Sequence, residues 1–512
     1  MKDKTKNIVI LGGGSAGWIT AGVIAAAHVQ KNAPDSVTVT LVESSNIPPI
    51  GVGEGTWPTM RSTLLKMGIS ETDFIRECDA SFKQGAKFAK WVTGDDDDFY
   101  YHPLMLPHGF GKTDLCGHWQ NSTTARSFSD TVCFQEAICE QNLAPKHIRS
   151  AEYAHVANYA YHLDAGKFTV FLQKHCTETL GVGHKIADVE AVKAAENGDI
   201  LALVTSNGET IEGDLFIDCS GFHSKLIDQH FNVPFVDCSD VLFIDNALAV
   251  QVPYESEEAP IASHTISTGQ TAGWIWDIGL QQRRGVGYVY SSRHTDKQQA
   301  EDDLAIYVGD KIRELSIRHI PIKSGHRAVF WQNNCVAIGL AAGFLEPLEA
   351  SALVLVELSA QMISEQLPQN RQTMDIVAKR FNETFQYRWQ RIIDFLKLHY
   401  ILTRREEPFW RDNCDRTTIP QSLRDLMSLW QYRAPSDFDF SSNNEVFPAA
   451  SYQYVLYGMG FKTEFQPNQL QDQGYAQQMF DVNQNMIQQA SKQLPTNREL
   501  LNKIKQFGFN KL

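Results

Sequence analysis

Apolar residues run without interruption through NIVIL at 7–11 and stop at the glycine-rich turn GGGSAG. They resume in the alanine-rich stretch WITAGVIAAAHVQ, and a second run, VTVTLVE, closes on Glu43. A short continuous apolar run bounded by glycine predicts a strand buried on both faces, and the alanine-rich stretch predicts a helix. Strand, glycine turn, helix, strand and acid in that order predict the βαβ unit that binds dinucleotides. DLFIDCSG (214–221) and NCVAIGLAAG (334–343) repeat the buried-strand pattern, whereas LALVT and GVGYVYSS (285–292) alternate and predict an antiparallel sheet. From about Pro347 the pattern turns helical, with SALVLVELSAQMISEQL and IVAKRFNETFQYRWQRIIDFLKLHYIL as long, partly amphipathic helices. No internal repeat or low-complexity linker interrupts the chain. The expected fold class is α/β, a Rossmann-type module with an antiparallel sheet and packed helices.

Composition narrows the function classes. The chain has 512 residues, 43% hydrophobic and 21% charged, with a net charge of −14. That surplus of acid excludes a general nucleic-acid or anionic-membrane partner, because few cations are left to neutralise phosphates. The run Asp95 to Asp98 reads as a solvated turn. No stretch approaches the ~20 apolar residues that span a bilayer, and the N-terminal apolar run ends in glycines, as a buried strand does and a signal peptide does not. The nine cysteines are odd in number, scattered and without a CxxC pair. Neither a disulfide framework nor a metal site is expected, and a cytoplasmic location follows.

Gly12, Gly14 and Gly17 form GxGxxG around Ser15 and Ala16. Such a turn lets a pyrophosphate approach the backbone at a helix N-terminus, and Glu43 would hydrogen-bond a ribose diol. An acid there favours NAD or FAD over NADP. DLFIDCSG, with an acid before Cys-Ser-Gly, resembles the second FAD motif of flavoprotein monooxygenases and points to FAD, the alternative being a plain NAD-dependent dehydrogenase.

A second feature is GWIWDIG (273–279), where alternation puts Trp274 and Trp276 on one side of a strand. Read alone this is an aromatic pair in a core strand. Together with GVGEGTWP (51–58), SFKQGAKF (81–88) and GLAAGFLEPLEAS (339–351), it resembles segments of the flavin-dependent tryptophan halogenase family. GVGEGTWP matches that family's flavin loop, SFKQGAKF its active-site lysine segment, and GWIWDIG its WxWxIP signature with Gly279 in place of proline. GLAAGFLEPLEAS is close to its halide and flavin segment. The matches are collinear and extend to HYILTRREEPFW (399–410).

The resemblance implies a monooxygenase-like FAD fold that uses FADH2, O2 and chloride or bromide to make hypohalous acid. The acid would pass down an internal tunnel to a separate aromatic substrate. Lys83 would hold or be halogenated by it, although alternation alone makes Lys83, like Lys87 and Lys90, a solvent-facing strand lysine. Glu349 would stabilise or deprotonate the cationic arenium, with Glu346 structural. The amides of Ser351 and Ala352 would bind the halide where the family usually has Thr and Gly. Gly53, Glu54, Gly55, Ile186, Gly339, Leu340 and Leu353 would join the glycine turn and Glu43 in holding FAD. Trp274 and Trp276 would wall the flavin from the substrate.

The segment SSNNEVFPAASYQYVLYGMGF (441–461) does not match the lid with which family members grip free tryptophan. An indole, another electron-rich aromatic or a larger scaffold therefore stays open. Tyr452, Tyr454 and Tyr457 read first as packing residues, with Tyr454 and His102 the candidates for touching an aromatic substrate. The implied division is a FAD module over 1–350, including the active-site segment 81–120 and a mixed sheet around 240–292. A helical substrate module over 351–512 would pack on it. No NAD(P)H motif accompanies the FAD elements, so a separate NAD(P)H-dependent flavin reductase would supply FADH2; a homodimer is allowed. The alternatives are an FAD-dependent aromatic hydroxylase and a non-catalytic flavoprotein.

Overall fold

A computed structural model describes residues 4–30, 36–46, 53–442 and 445–510. Gly51 and Val52 of the expected flavin loop, and Asn443 and Asn444 of the C-terminal region, lie outside the described residues. The chain divides into two compact units, each assembled from three segments: 1–79, 163–238 and 323–389 in the first, 80–162, 239–322 and 390–512 in the second. These boundaries differ from the single cut after residue 350 expected from the sequence. The helix Ser351–Glu365 belongs with the glycine turn, and the segment 81–120 belongs with the C-terminal helices.

The first unit is built on a six-stranded sheet. In spatial order its strands are Trp331–Gln332, Cys335–Ala337, Leu215–Asp218, Asn7–Leu11, Thr38–Glu43 and Gly183–Ile186. All but the first, which pairs antiparallel, run parallel. The predicted central strands are those most enclosed: Ile8, Val9, Ile10, Leu41, Val42, Leu215, Phe216 and Ile217 are each at most 2% exposed. The helix Ser15–His28 packs against the helices Ala165–Glu178 and Ser351–Glu365, which explains why its apolar residues are not confined to one stripe. The alternating stretch LALVT lies in an antiparallel three-stranded sheet, Val189–Ala194, Ile200–Thr205 and Thr210–Glu212.

The second unit carries a seven-stranded sheet ordered Arg318–Pro321, Asn246–Pro253, Arg283–Tyr290, Gly273–Gly279, Thr265–Gln270, Gly85–Ala89 and Phe99–Pro103. Only the pairing of Thr265–Gln270 with Gly85–Ala89 is parallel. One face packs Leu248, Val250, Ile275, Val286 and Tyr288 against Ala300 and Leu304 of the helix Lys297–Val308. A small antiparallel pair, Ser81–Lys83 with Ala160–Asp164, places Lys83 opposite Ala160 and Ser81 opposite His162. The long helical stretch read after residue 370 is a 31-residue helix, Arg371–Ile401. No helix among the described residues is long and apolar enough to cross a membrane. All nine cysteines are thiols, eight of them buried.

Candidate active site

The glycine turn follows the strand Asn7–Leu11 and opens the helix Ser15–His28. Gly12 has φ +119°, and a Cβ there would stand 2.1 Å from the Cys219 carbonyl oxygen. A Cβ on Gly17 would stand 1.9 Å from the Gly12 carbonyl oxygen, so this glycine lets the helix close on its own turn. Gly14, the residue before the helix, differs: apart from its chain neighbours, no atom of the described residues lies within 4 Å of the position its Cβ would take. That open position at the start of a 14-residue helix is the cradle expected for a phosphate.

Glu43 ends the neighbouring strand. Its Oε2 lies over Gly13, where a Cβ would be only 1.7 Å away, and its Oε1 pairs with His184 Nε2 at 2.7 Å. His184 packs edge-on against Trp18 at 5.2 Å, and Ile186 lies opposite Glu43 in the sheet, 66% exposed. The carboxylate is thus held beside the glycine turn, as a ribose-binding acid requires, and His184 is a positioning partner that the motif did not reveal. Asp218, the acid of DLFIDCSG, is fully buried. Its Oδ1 accepts from the Ser220 amide and hydroxyl, and its Oδ2 from the amides of Leu226 and Ile227. It fixes the following loop.

Glu54 lies on the short strand Gly53–Gly55, half-buried, and burial pushes its carboxyl up to about 7. Trp57 donates its indole N–H to the Glu349 carbonyl at 2.8 Å, tying the end of the expected flavin loop to GLAAGFLEPLEAS. In that segment Gly339 and Leu340 form a short 3-10 turn, and a Cβ on Gly339 would press to 2.8 Å on Ala16 of the glycine turn. Glu346 and Glu349 are 1% and 4% exposed. Ala350 then adopts a left-handed conformation, φ 53°, which costs an L-residue on the order of 1 kcal/mol. The helix begins at Ser351; Ser351 and Leu353 are buried while Ala352 is exposed. The first amides of this 15-residue helix have no helical acceptor, which suits them to an anion.

The remaining candidates lie in the second unit. Lys83 is 3% exposed, contrary to its alternation reading. Its strand is only three residues long and buried throughout, so no wet face exists to receive it. Lys87 and Lys90 reach the exposed carboxylates of Glu140 at 2.7 Å and Asp96 at 2.5 Å. Next to Lys83 sits His162, whose Nε2 is 2.8 Å from Thr265 Oγ1. Burial, then the charges of Lys83 and His264, hold His162 well below the usual imidazole range.

Trp274 and Trp276 share a face of the strand Gly273–Gly279, Trp274 buried against Trp91 with ring centroids 6.0 Å apart, Trp276 half-buried. The Trp276 indole covers Gly287, where a Cβ would come within 2.1 Å of the ring. His102 and Tyr454 are brought together, 6.3 Å between centroids, alongside Phe395 and Phe447. His102 Nε2 bonds Ser451 Oγ at 2.9 Å, and the Tyr454 hydroxyl donates to the Met105 carbonyl at 2.9 Å. Both rings therefore contribute to a buried aromatic cluster.

The tryptophan halogenase family model matches residues 7–473. The chain belongs to the tryptophan halogenase family. The 7-chloro-L-tryptophan 6-halogenase KtzR of Kutzneria sp. (strain 744) is 32% identical, over 97% of this chain and 99% of that protein. The crystal structure of a tryptophan halogenase from Shewanella frigidimarina NCIMB 400 superposes with a TM-score of 0.96 at 49% identity, over 100% of both chains. Tar14, a tryptophan C-6 flavin-dependent halogenase (chlorinase) from taromycin biosynthesis, superposes with 0.91 at 31% identity, over 98% of this chain and 100% of its own. This halogenase family member is thus a flavin-dependent, oxidoreductase-type enzyme with a Rossmann-like module, and the four motifs quoted from its sequence all fall within the matched residues.

Proposed function

We propose that the protein halogenates an electron-rich aromatic, indole or tryptophan-like, using FADH2 supplied by a separate NAD(P)H-dependent flavin reductase. Family membership supports the reaction class. The observation that carries the residue assignment is the burial of Lys83 (3% exposed), where the two following lysines of the same run reach surface carboxylates.

The residues around the glycine turn fit FAD. The open Gly14 position and the helix start receive the pyrophosphate, and Glu43, steadied by His184, takes the adenosine ribose. Ser15, Ala16, Gly53, Glu54, Gly55, Ile186, Gly339, Leu340 and Leu353 complete the cofactor contacts. When bound and reduced, FAD supplies the two electrons with which O2 oxidises halide to hypohalous acid. The amides of Ser351 and Ala352 hold the halide beforehand.

Lys83 holds hypohalous acid by hydrogen bonding, or as the neutral amine takes the halogen from it, so the electrophile meets the ring from one direction. The burial of Lys83 makes that one contact strong. Glu349, anchored through its carbonyl by Trp57, takes the proton from the ring carbon that gains halogen. Trp274 and Trp276 act as an inert aromatic wall, while His102 and Tyr454 contribute ring faces toward the aromatic substrate.

The test is incubation of the purified protein with FAD, a flavin reductase, NADH, O2 and chloride or bromide over a panel of indoles and phenols, read by mass spectrometry. A halogen isotope doublet that falls by about a hundredfold or more in Lys83→Ala, with FAD binding intact, is the expected result. Oxygen insertion without halogen, or unchanged product in Lys83→Ala, overturns the reading.

A further inference from the structure

A line of polar side chains runs through the second unit from the surface toward Lys83. At its outer end Glu140 accepts from Lys87 Nζ at 2.7 Å and from the Tyr101 hydroxyl. Lys87 lies 4.2 Å from the centre of the Phe99 ring, which helps hold the outer pair in place. Tyr101 is 1% exposed, and its hydroxyl lies 3.3 Å from His264 Nε2. His264 is 4% exposed and His162 fully buried, and burial, then the charge of Lys83, opposes protonation of His162. Three backbone pairings fix the inner end. Ser81 lies opposite His162, Lys83 lies opposite Ala160, and the Gln84 amide donates to the Ser263 carbonyl at 2.7 Å, next to His264. Lys83 and His162 thus project from one face of a strand pair as diagonal neighbours, within reach of each other.

The hydrogen bonds along this line have one direction. Glu140 is a carboxylate: burial raises its affinity for a proton, but the bonds from Lys87 and Tyr101 outweigh that and hold it below its usual value. Burial, then the nearby Cys139 and Glu140, keeps Tyr101 a protonated phenol. Tyr101 must therefore donate to Glu140, which leaves its oxygen to accept from His264 Nε2–H. Burial drives His264 down to about 4, with Glu140 opposing and Lys87 adding to the shift, so the ring is neutral at ordinary pH. A neutral imidazole carrying its proton on Nε2 presents Nδ1 as a bare acceptor. Neither His264 Nδ1 nor His162 Nδ1 has a hydrogen-bond partner among the described residues, and the Ser263 hydroxyl beside them has none either. Water completes buried polar atoms of this kind.

We propose that His162, His264, Tyr101 and Glu140 form a proton route that lets Lys83 exchange a proton with solvent from inside the fold. The importance of that proton to catalysis rests on the function proposed above; the route itself does not. A proton leaves Lys83 Nζ, passes by way of His162 and a bridging water, and arrives at His264 Nδ1. The proton on His264 Nε2 moves to the Tyr101 oxygen as the Tyr101 proton moves to Glu140. One N–H bond of Lys83 is broken, one O–H bond of Glu140 is formed, no electrons are transferred, and Glu140 then releases its proton to water. The run in reverse returns Lys83 to the ammonium form. His162, His264, Tyr101 and Glu140 are positioning and proton-passing residues, with Lys87, Glu136 and Cys139 the other titratable groups whose charges act along the line.

Exchange of the Lys83 side-chain protons with solvent tests this, measured by nitrogen-15 NMR on lysine-labelled protein with the signal assigned from Lys83→Arg. Tyr101→Phe keeps the ring and removes the relay oxygen, and Glu140→Gln alters only the outer end. Each is expected to slow exchange by about tenfold or more. Tyr100→Phe, a buried hydroxyl on the same strand that bonds His399 instead, should leave the rate unchanged. Equal rates in wild type, Tyr101→Phe and Glu140→Gln overturn the route, as does an equal slowing in Tyr100→Phe. If Tyr101→Phe slows exchange but the wild type yields no halogenated aromatic, the route stands and the functional reading falls.

Discussion

Glu357 sits on the helix Ser351–Glu365, 3% exposed, with Thr59 Oγ1 at 3.2 Å and Thr63 Oγ1 at 2.5 Å as its hydroxyl donors. No cation reaches it among the described residues, and two neutral hydroxyls do not offset the loss of water around a carboxylate. Burial therefore pushes its carboxyl from 4.5 up to about 8, with the two threonines opposing. Between those values the folded chain keeps a proton that the unfolded chain releases, so stability falls as pH rises. The contribution is complete below about pH 4.5 and gone once pH passes about 8. Each pH unit across that interval removes about 1.4 kcal/mol, so the full loss is about 5 kcal/mol, of which about 3 kcal/mol has gone by pH 7. Glu357→Gln keeps the shape, lets one threonine accept from the new amide, and removes the titration. Urea or thermal unfolding at pH 5, 6, 7 and 8 is the assay. The variant is expected to match wild type near pH 5, to exceed it by several kcal/mol at pH 8, and to show a flatter slope. Parallel profiles for the two proteins, or a variant less stable at pH 8, would refute the electrostatic argument.

Two further outcomes follow from close packing. Gly14→Val places its side chain where no atom of the described residues beyond its chain neighbours lies within 4 Å, so apoprotein stability should change by no more than about 1 kcal/mol while FAD affinity falls by tenfold or more; calorimetric titration of FAD into both proteins decides it, and equal affinity would remove the pyrophosphate from that position. Gly287→Ala drives a methyl to within 2.1 Å of the Trp276 ring and 2.5 Å of the Leu248 carbonyl, which should displace the indole and cost about 1–3 kcal/mol or more; an unchanged melting temperature and tryptophan emission would contradict the packing.

The parts of the fold that were legible in the chain are those whose cause is local. NIVIL and DLFIDCSG are strands because parallel strands covered on both faces need unbroken apolar runs, and GVGYVYSS pairs antiparallel along both edges, as its alternation suggested, although both of its faces are buried. The glycine turn was legible because Gly12 and Gly17 answer steric demands of the strand, turn and helix that the motif itself spells out. The division into units was not, because each is assembled from three distant segments and no composition change marks the joins. Lys83 was misplaced by pattern alone because alternation presumes one wet face, and a three-residue strand buried on all sides has none.

Electrostatic character was the least legible property, and Glu357 and His264 show two different reasons. Glu357 did leave a trace: it stands four residues after Leu353, three after Val354 and three before Ala360, all buried, so it occupies the apolar stripe of its own helix. A carboxylate in such a stripe must be paired or neutral, and helical spacing alone could have raised the question. His264 left none. It is a single histidine at the start of a strand, 181 positions from Lys83, and only the pairing of short strands brings it near His162 and aims its Nε2 at Tyr101. The direction of the whole line from Lys83 to Glu140 then depends on one exposed carboxylate that can only accept. A proton route is a property of contacts between strands, so it emerges only when register is known, whereas a carboxyl buried on its own helix can be suspected from spacing.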